Sequence, residues 1–325
     1  MPTAARLSVV LLSLFAVTGA RADWVRREES IMGTRIYVEA WHDDPVKGEQ
    51  ALDAVMDNMR RIDALMSHYR PDSQLSAINT RAALEPVVVD AELFDLIRTS
   101  IHFSEITEGA FDITYASVGY LYDYPRHLHP SEEQIKAALP GINYRNLLLD
   151  PEHHSVKFAH EGMRIDLGGI AKGYACDRGV EILQHFGVEH AIVTAGGDTR
   201  LLGDRRGRPW MVGIRHPDDK NRVVLTMPLA NVGISTSGDY ERYFDEGGIR
   251  YHHIIDPKTG KSPHGVRSAT IIGPTATDTE GWSKGVFIWG PVEGIRLLEQ
   301  YPQMDAVVVD RDGKVWYSKG LAPPK

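Results

Sequence analysis

Cysteine is almost missing from this chain. Cys176 is the only one among 325 residues, so no intramolecular disulfide can form, even in an oxidising compartment. No cysteine stands directly after the N-terminal segment, so an acylated N-terminal cysteine is not expected. A dominant charge is missing too: 36 basic against 44 acidic residues give a formal net charge of −8, with no long basic stretch. No nucleic-acid role is expected from such a charge balance. There is no internal repeat and no low-complexity linker, and beyond Val17 no segment is a membrane candidate. What the chain does have is 42% hydrophobic residues, enough for a large buried core.

The first residues read as a processing segment. Arg6 precedes the apolar run Leu7 to Val17, followed by small residues and Ala20-Arg21-Ala22. This is the charged region, apolar region and A-x-A site of a secretory signal. Cleavage after Ala22 divides the chain into a signal, residues 1–22, and a mature periplasmic domain, residues 23–325. Cys176 then reads as a small buried side chain inside a helix over Ala171–Phe186.

Periodicity sketches the rest. Thr34 to Ala40 alternates as a half-buried strand. Gly48–Met66 places Leu52, Val55, Met56, Met59, Ile62 and Met66 at helical spacing, and this Met-rich stripe reads as core. A second helix is expected over about Ala91–Ile106. Ser131-Glu132-Glu133-Gln134 is a capping-box start for a short helix to about Leu139. Strands are expected around His190–Thr194, Trp210–Ile214, Arg222–Leu229, Ser268–Ile272, Asp305–Val309 and Lys314–Tyr317, and helices over Thr279–Trp289 and Val292–Gln300. Without regular βαβ alternation this is an α+β arrangement, one large domain with two lobes around a cleft.

The most informative run is Arg164-Ile165-Asp166-Leu167-Gly168-Gly169-Ile170-Ala171-Lys172-Gly173-Tyr174. It reads as a strand end, a glycine turn and a helix start. Bare glycine backbone allows close approach, a helix start presents free N–H groups to an anion, and Lys172 adds a cation. That is a mould for a phosphate-bearing molecule, with Asp166 free to read a donor group or help hold a metal. The bland alternative is a turn built for close packing.

Other polar clusters are Ile31-Met32-Gly33-Thr34, Ser67-His68-Tyr69, Leu75-Ser76-Ala77-Ile78-Asn79, Glu108-Gly109-Ala110-Phe111-Asp112-Ile113-Thr114 and Thr194-Ala195-Gly196-Gly197-Asp198. Ser235-Thr236-Ser237-Gly238-Asp239-Tyr240 and His252-His253-Ile254-Ile255-Asp256-Pro257-Lys258-Thr259-Gly260 follow. Singly, each has an ordinary reading. Gly-Asp and Asp-Pro form turns, Ser-Thr-Ser-Gly suits a loop, and Thr114 and Asn79 suit caps. The adjacent histidines sit on a strand, so at most one faces any site, and a zinc site lacks a third ligand.

In this order the clusters resemble the ApbE-type flavin transferases, the FAD:protein FMN transferases, from about Ser30 to about Gly290. The resemblance implies an α+β fold related to tunnelling folds (T-folds). It implies that FAD is split with magnesium (Mg2+), that AMP is released, and that FMN is attached to a threonine of an acceptor protein, a respiratory or redox partner. It implies flavin-nucleotide contacts at Met32, Tyr69, Ala110, Phe111, Asp112, Asp166, Lys172 and His253. It also implies a metal held by the Gly169 backbone oxygen and by an acid and a threonine four residues apart on a later helix. Lys172 would offset phosphate charge, and His253 is the candidate base for the threonine hydroxyl, the alternative being that it only hydrogen-bonds the cofactor.

The metal helix departs from the pattern. Thr279-Glu280-Gly281-Trp282-Ser283-Lys284-Gly285 puts Glu280 where the acid belongs and Lys284 where the threonine belongs. A protonated lysine cannot ligate. Three readings follow. The metal binds through Glu280, Gly169 and waters; or the Lys284 ammonium replaces it and alters or abolishes transfer; or Glu280 and Lys284 form a surface ion pair, with Asp278 the nearest other acid. Function divides accordingly between a flavin transferase, an exported FAD-binding protein with a degenerate metal site, and a hydrolase that cleaves the FAD pyrophosphate.

Overall fold

The computed structural model describes residues 23–321 apart from Lys220, so the segment read as a signal lies outside the described residues. The chain opens on strands β1 (Asp23–Ile31) and β2 (Thr34–His42), then helices α1 (Pro45–Met66) and α2 (Gln74–Arg81). Strand β3 (Val87–Val88), helices α3 (Ala91–Ile106), α4 (Ala116–Gly119) and α5 (Glu132–Ala138), and the hairpin β4 (Leu147–Asp150) and β5 (Ser155–Phe158) lead to helix α6 (Ala171–His185). Eight strands follow: β6 (His190–Ala195), β7 (Asp198–Leu202), β8 (Trp210–Arg215), β9 (Val223–Leu229), β10 (Gly233–Gly238), β11 (Tyr243–Glu246), β12 (Ile249–His252) and β13 (Val266–Gly273). Helix α7 (Ala276–Leu298) and strands β14 (Asp305–Asp310) and β15 (Val315–Tyr317) complete it.

Local chemistry sets the element ends. Asp44 accepts the Val46 N–H at 2.9 Å and Pro45 stands at the first turn, so α1 begins three residues before its apolar stripe. The capping box at Ser131 forms as read. Met32 and Gly33 have φ of 56° and 66°, the two-residue turn that suits the twist of β1 and β2. The two helices expected near the C-terminus are one run from Ala276, broken at Gly290 (φ 81°, ψ 177°) just before Pro291.

The main sheet has the order β1-β2-β6-β7-β10-β13-β14-β15, antiparallel throughout, with β1 and β15 outermost. One face is covered by α1, α6 and α7, and the continuous core between them holds residues from Val25 to Val308. On the other face the β8–β9 hairpin lays Trp210, Ile214 and Met227 over Leu201, Ile234, Ile272 and Val307. This is the expected α+β class, with helices gathered on one face of an antiparallel sheet. Among the described residues no helix is long and apolar enough to cross a membrane.

Several local expectations need correction. Ser235-Thr236-Ser237-Gly238 is not a loop but most of β10, a central strand with Ser235 and Ser237 buried. Small polar residues are needed there because α7 crosses closely. Ser237 Oγ meets Ser283 Oγ at 2.8 Å, and a side chain at Gly233 would overlap the Thr275 carbonyl. Asn79 and Thr114 are not caps. Asn79 pairs with both backbone groups of Ile165, and the cap of the 3-10 turn at Ile113–Tyr115 is Asp112.

Candidate active site

The glycine run has no sheet partner on its N-terminal side, which corrects the strand end read there. Residues 163–167 belong to no strand or helix, and side chains and loops hold them. Asn79 Oδ1 accepts the Ile165 N–H at 2.8 Å, and the Asp166 N–H donates to the Ile113 carbonyl at 3.0 Å. Asp166 is buried. Its Oδ1 accepts the Gly168 N–H at 2.6 Å, and its Oδ2 lies 3.1 Å from His68 Nδ1. Burial pushes its carboxyl up, but hydrogen bonding and charge from His68 outweigh this and hold it below the usual carboxylate range.

The first turn of α6 then aims Lys172 at two acids from distant elements. Its ammonium donates to the Gly168 carbonyl at 2.9 Å, reaches Asp198 Oδ2 at 3.0 Å and bonds Glu280 Oε1. Glu280 Oε2 accepts the Gly173 N–H at 2.6 Å, so the helix start expected to meet an external anion already holds a carboxylate of the protein. Lys284, one turn along α7, lies 3.3 Å from Glu280 Oε1, and Ser235 Oγ donates to Asp198 Oδ1 at 2.5 Å. The Glu280 side chain is 0% exposed. The surface ion-pair reading of Glu280 and Lys284 is therefore overturned.

Charge is balanced within this cluster. Burial disfavours the Lys172 ammonium, but Asp198 and Glu280 overcome that and keep it firmly protonated. Burial would likewise raise Asp198, yet Lys172 and Lys284 hold it low. For Lys284 burial prevails, aided by Lys172, and its ammonium sits below the ordinary lysine range.

The remaining candidates gather around this floor. A side chain at Gly169 would stand 3.4 Å from the Phe111 ring and 3.7 Å from Lys284 Cε, so Gly169, Phe111 and Lys284 form one wall. Tyr69 is 72% exposed, lies on His68 with ring centroids 3.8 Å apart, and accepts from Arg242 at 3.4 Å. Arg242 also lies beside the Met32–Gly33 turn, and its carbonyl accepts the His253 N–H at 3.1 Å. Ala110 is buried behind Phe111. Asp112 is committed to the fold: Oδ1 accepts from the Thr114 N–H and hydroxyl, and Oδ2 from the Tyr144 N–H at 2.9 Å. Burial raises its carboxyl.

His253 follows β12 and points where its neighbour does not. His252 Nε2 meets the Pro263 carbonyl at 2.8 Å, away from the lysines. His253 Nδ1 is buried with no partner. Burial, then the nearby His252, Arg242, Lys284 and Lys172, pushes His253 down to about 3, so its imidazole is neutral and one of its ring nitrogens carries no proton.

His252 carries a separate consequence. Burial lowers it from 6.5 to about 4. Between those values the unfolded chain binds the extra proton, so stability is intact above the unfolded value and falls as pH drops toward the folded one. From about pH 7.5 to about pH 4.5 the parent chain is expected to lose roughly 2–3 kcal/mol more than His252→Gln in urea unfolding. Equal losses would show that His252 already titrates normally in the fold.

Asp198, Ser235 and Arg242 were not singled out as site residues from sequence. Asp198 and Ser235 come from neighbouring strands β7 and β10, and only the sheet order brings them under Lys172.

A divalent cation does not fit the arrangement. Among the described residues no three His, Cys, Asp or Glu side chains form a metal-holding group. Both Glu280 oxygens face N–H donors, and the Lys284 ammonium stands at the position expected of a ligand. The expected metal set of Gly169, Glu280 and Lys284 is thus not assembled for that task.

The architecture is that of solved flavin transferases. The flavin transferase ApbE of Vibrio cholerae matches with a TM-score of 0.82 at 27% identity, covering 92% of this chain and 98% of that one. The ApbE protein of Thermotoga maritima matches with a TM-score of 0.85 at 34% identity, with the same coverage. Residues 32–308 match the ApbE family, and the chain belongs to it. The FAD:protein FMN transferase of Treponema pallidum is 32% identical over 321 residues, 93% of this chain and 89% of that protein.

Proposed function

We propose that this chain is an FAD:protein FMN transferase that moves FMN from FAD to a threonine of an acceptor redox protein and releases AMP. The reading is supported by a chain of contacts: Arg242 meets Tyr69, the Met32–Gly33 turn and His253, while Phe111 and Lys284 flank Gly169 beside the Lys172–Glu280 pair. The aromatic and apolar wall suits an isoalloxazine ring, and the ammonium groups suit a diphosphate. In the reaction the threonine oxygen bonds to the FMN phosphorus, and the bridging P–O bond breaks. AMP departs with the bridging oxygen and its electron pair, and the hydroxyl proton passes to a base. His253 is our candidate for that base, supported by its neutral imidazole. The residue pattern from Arg6 to Ala22 supports an exported, periplasmic mature domain of residues 23–325.

The test is incubation with FAD and a threonine-bearing acceptor, read by mass spectrometry, with the Vibrio cholerae relative as control. FMN on the acceptor, and none on its Thr→Ala variant, is the expected result. No attachment where the control succeeds defeats the proposal. Free FMN formed without acceptor at the same rate would favour the hydrolase.

A further inference from the structure

We infer that the Lys284 ammonium takes the place of a divalent cation and grips the FAD diphosphate directly, so that this chain binds FAD without a metal. The inference rests on the flavin reading above. It starts from counting donors. An ammonium has three N–H groups and no acceptor. Lys172 already meets three acceptors, the Gly168 carbonyl, Asp198 Oδ2 and Glu280 Oε1, so it is filled by the protein itself. Lys284 meets only Glu280 among the described residues, at 3.3 Å, and its side chain is 19% exposed. Two of its N–H groups therefore meet no acceptor among the described residues, on a side chain that is not sealed from solvent.

Glu280 cannot turn to a cation without breaking this network. One oxygen holds Lys172 and Lys284, and the other holds the Gly173 N–H. Freeing either would strand a buried partner, at a cost that exposed ion pairs do not carry. The carboxylate therefore serves to position Lys284, whose stem packs beside Gly169 at the phosphate turn. Lys172 and Asp198 complete the support from below. A fixed ammonium offers point charge and hydrogen bonds to phosphate oxygens, the two services a bridging ion would give.

The experiment is calorimetric titration of FAD into the purified chain, in EDTA and in magnesium chloride, with Lys284→Thr alongside. Binding by the parent is expected to agree within about threefold between the two buffers. Lys284→Thr is expected to bind about tenfold to a hundredfold more weakly in EDTA. A second measurement on the parent alone, by electron paramagnetic resonance with Mn2+, should show no ion captured beyond what FAD alone takes up. That arm decides the matter even if the variant does not fold. FAD binding by the parent that requires magnesium, stoichiometric Mn2+ capture, or unchanged affinity in Lys284→Thr would each overturn the inference while leaving the flavin reading intact. No FAD binding in either buffer would remove both.

Discussion

Lys172→Ala is expected to lower the unfolding free energy by about 3–5 kcal/mol, read as a shift of the urea midpoint at unchanged slope. The loss arises from what stays behind. Asp198 and Glu280 have side chains only 3% and 0% exposed, and among the described residues Lys172 is the one group bonded to both. Without it, Lys284 alone faces two buried carboxylates, and the Gly168 carbonyl loses a donor. The cost is thus the burial of uncompensated charge rather than the loss of one contact. A paired change tests this account: Lys172→Met with Glu280→Leu removes a charge of each sign and should recover much of the loss. A loss below about 1 kcal/mol in the single variant would mean that the cluster is solvated in the folded chain.

The second large effect concerns turnover. His253→Ala is expected to reduce kcat for flavin transfer by about 10²–10⁴-fold with FAD affinity little changed. Its Nδ1 has no hydrogen-bond partner, and the imidazole is neutral because burial and the nearby cations push its value down to about 3. A base this weak is inefficient in the empty cleft, but an entering diphosphate brings negative charge that favours the imidazolium. Because the neutral form prevails in the free chain, kcat/KM should show no His253 limb between about pH 5 and about pH 8. If the variant instead loses FAD affinity and keeps kcat at saturation, His253 holds the cofactor and another group takes the proton. The pH-rate profile and the split between affinity and kcat separate the two roles.

The long helices were readable because their signals are local, whereas α2 was missed because its short run of Leu75 and Ile78 among polar residues looks like a loop. The stripe of Leu52, Val55, Met56, Met59, Ile62 and Met66 names the buried face of α1 directly, and Asp44-Pro45 marks its start. The strands fared unevenly. β6, β13 and β14 are apolar and stood out. β10 did not, since its inward positions must stay small under α7, and Ser235 and Ser237 look like loop residues until a helix is known to cross them. β1 was also hidden, because its charged residues mask the alternation of Val25 and Ile31. In the site, the pairing of Glu280 with Lys284 was legible from four-residue spacing on one helix. That both are buried and tied to Lys172 was not, because it depends on α6 meeting α7 and on β7 lying beside β10.

The sheet does not close on itself, and an open sheet presents unpaired backbone at each rim to any extended peptide that drifts past. Here the first rim is β1, where Arg26, Arg27, Glu28 and Glu29 stand in succession, and the last is β15, only three residues long. A stacked copy would have to bury that run of mixed charge, and on the opposite side it would find too few rungs to climb. Concentrated solutions of the folded chain should accordingly resist amyloid-like growth from either border.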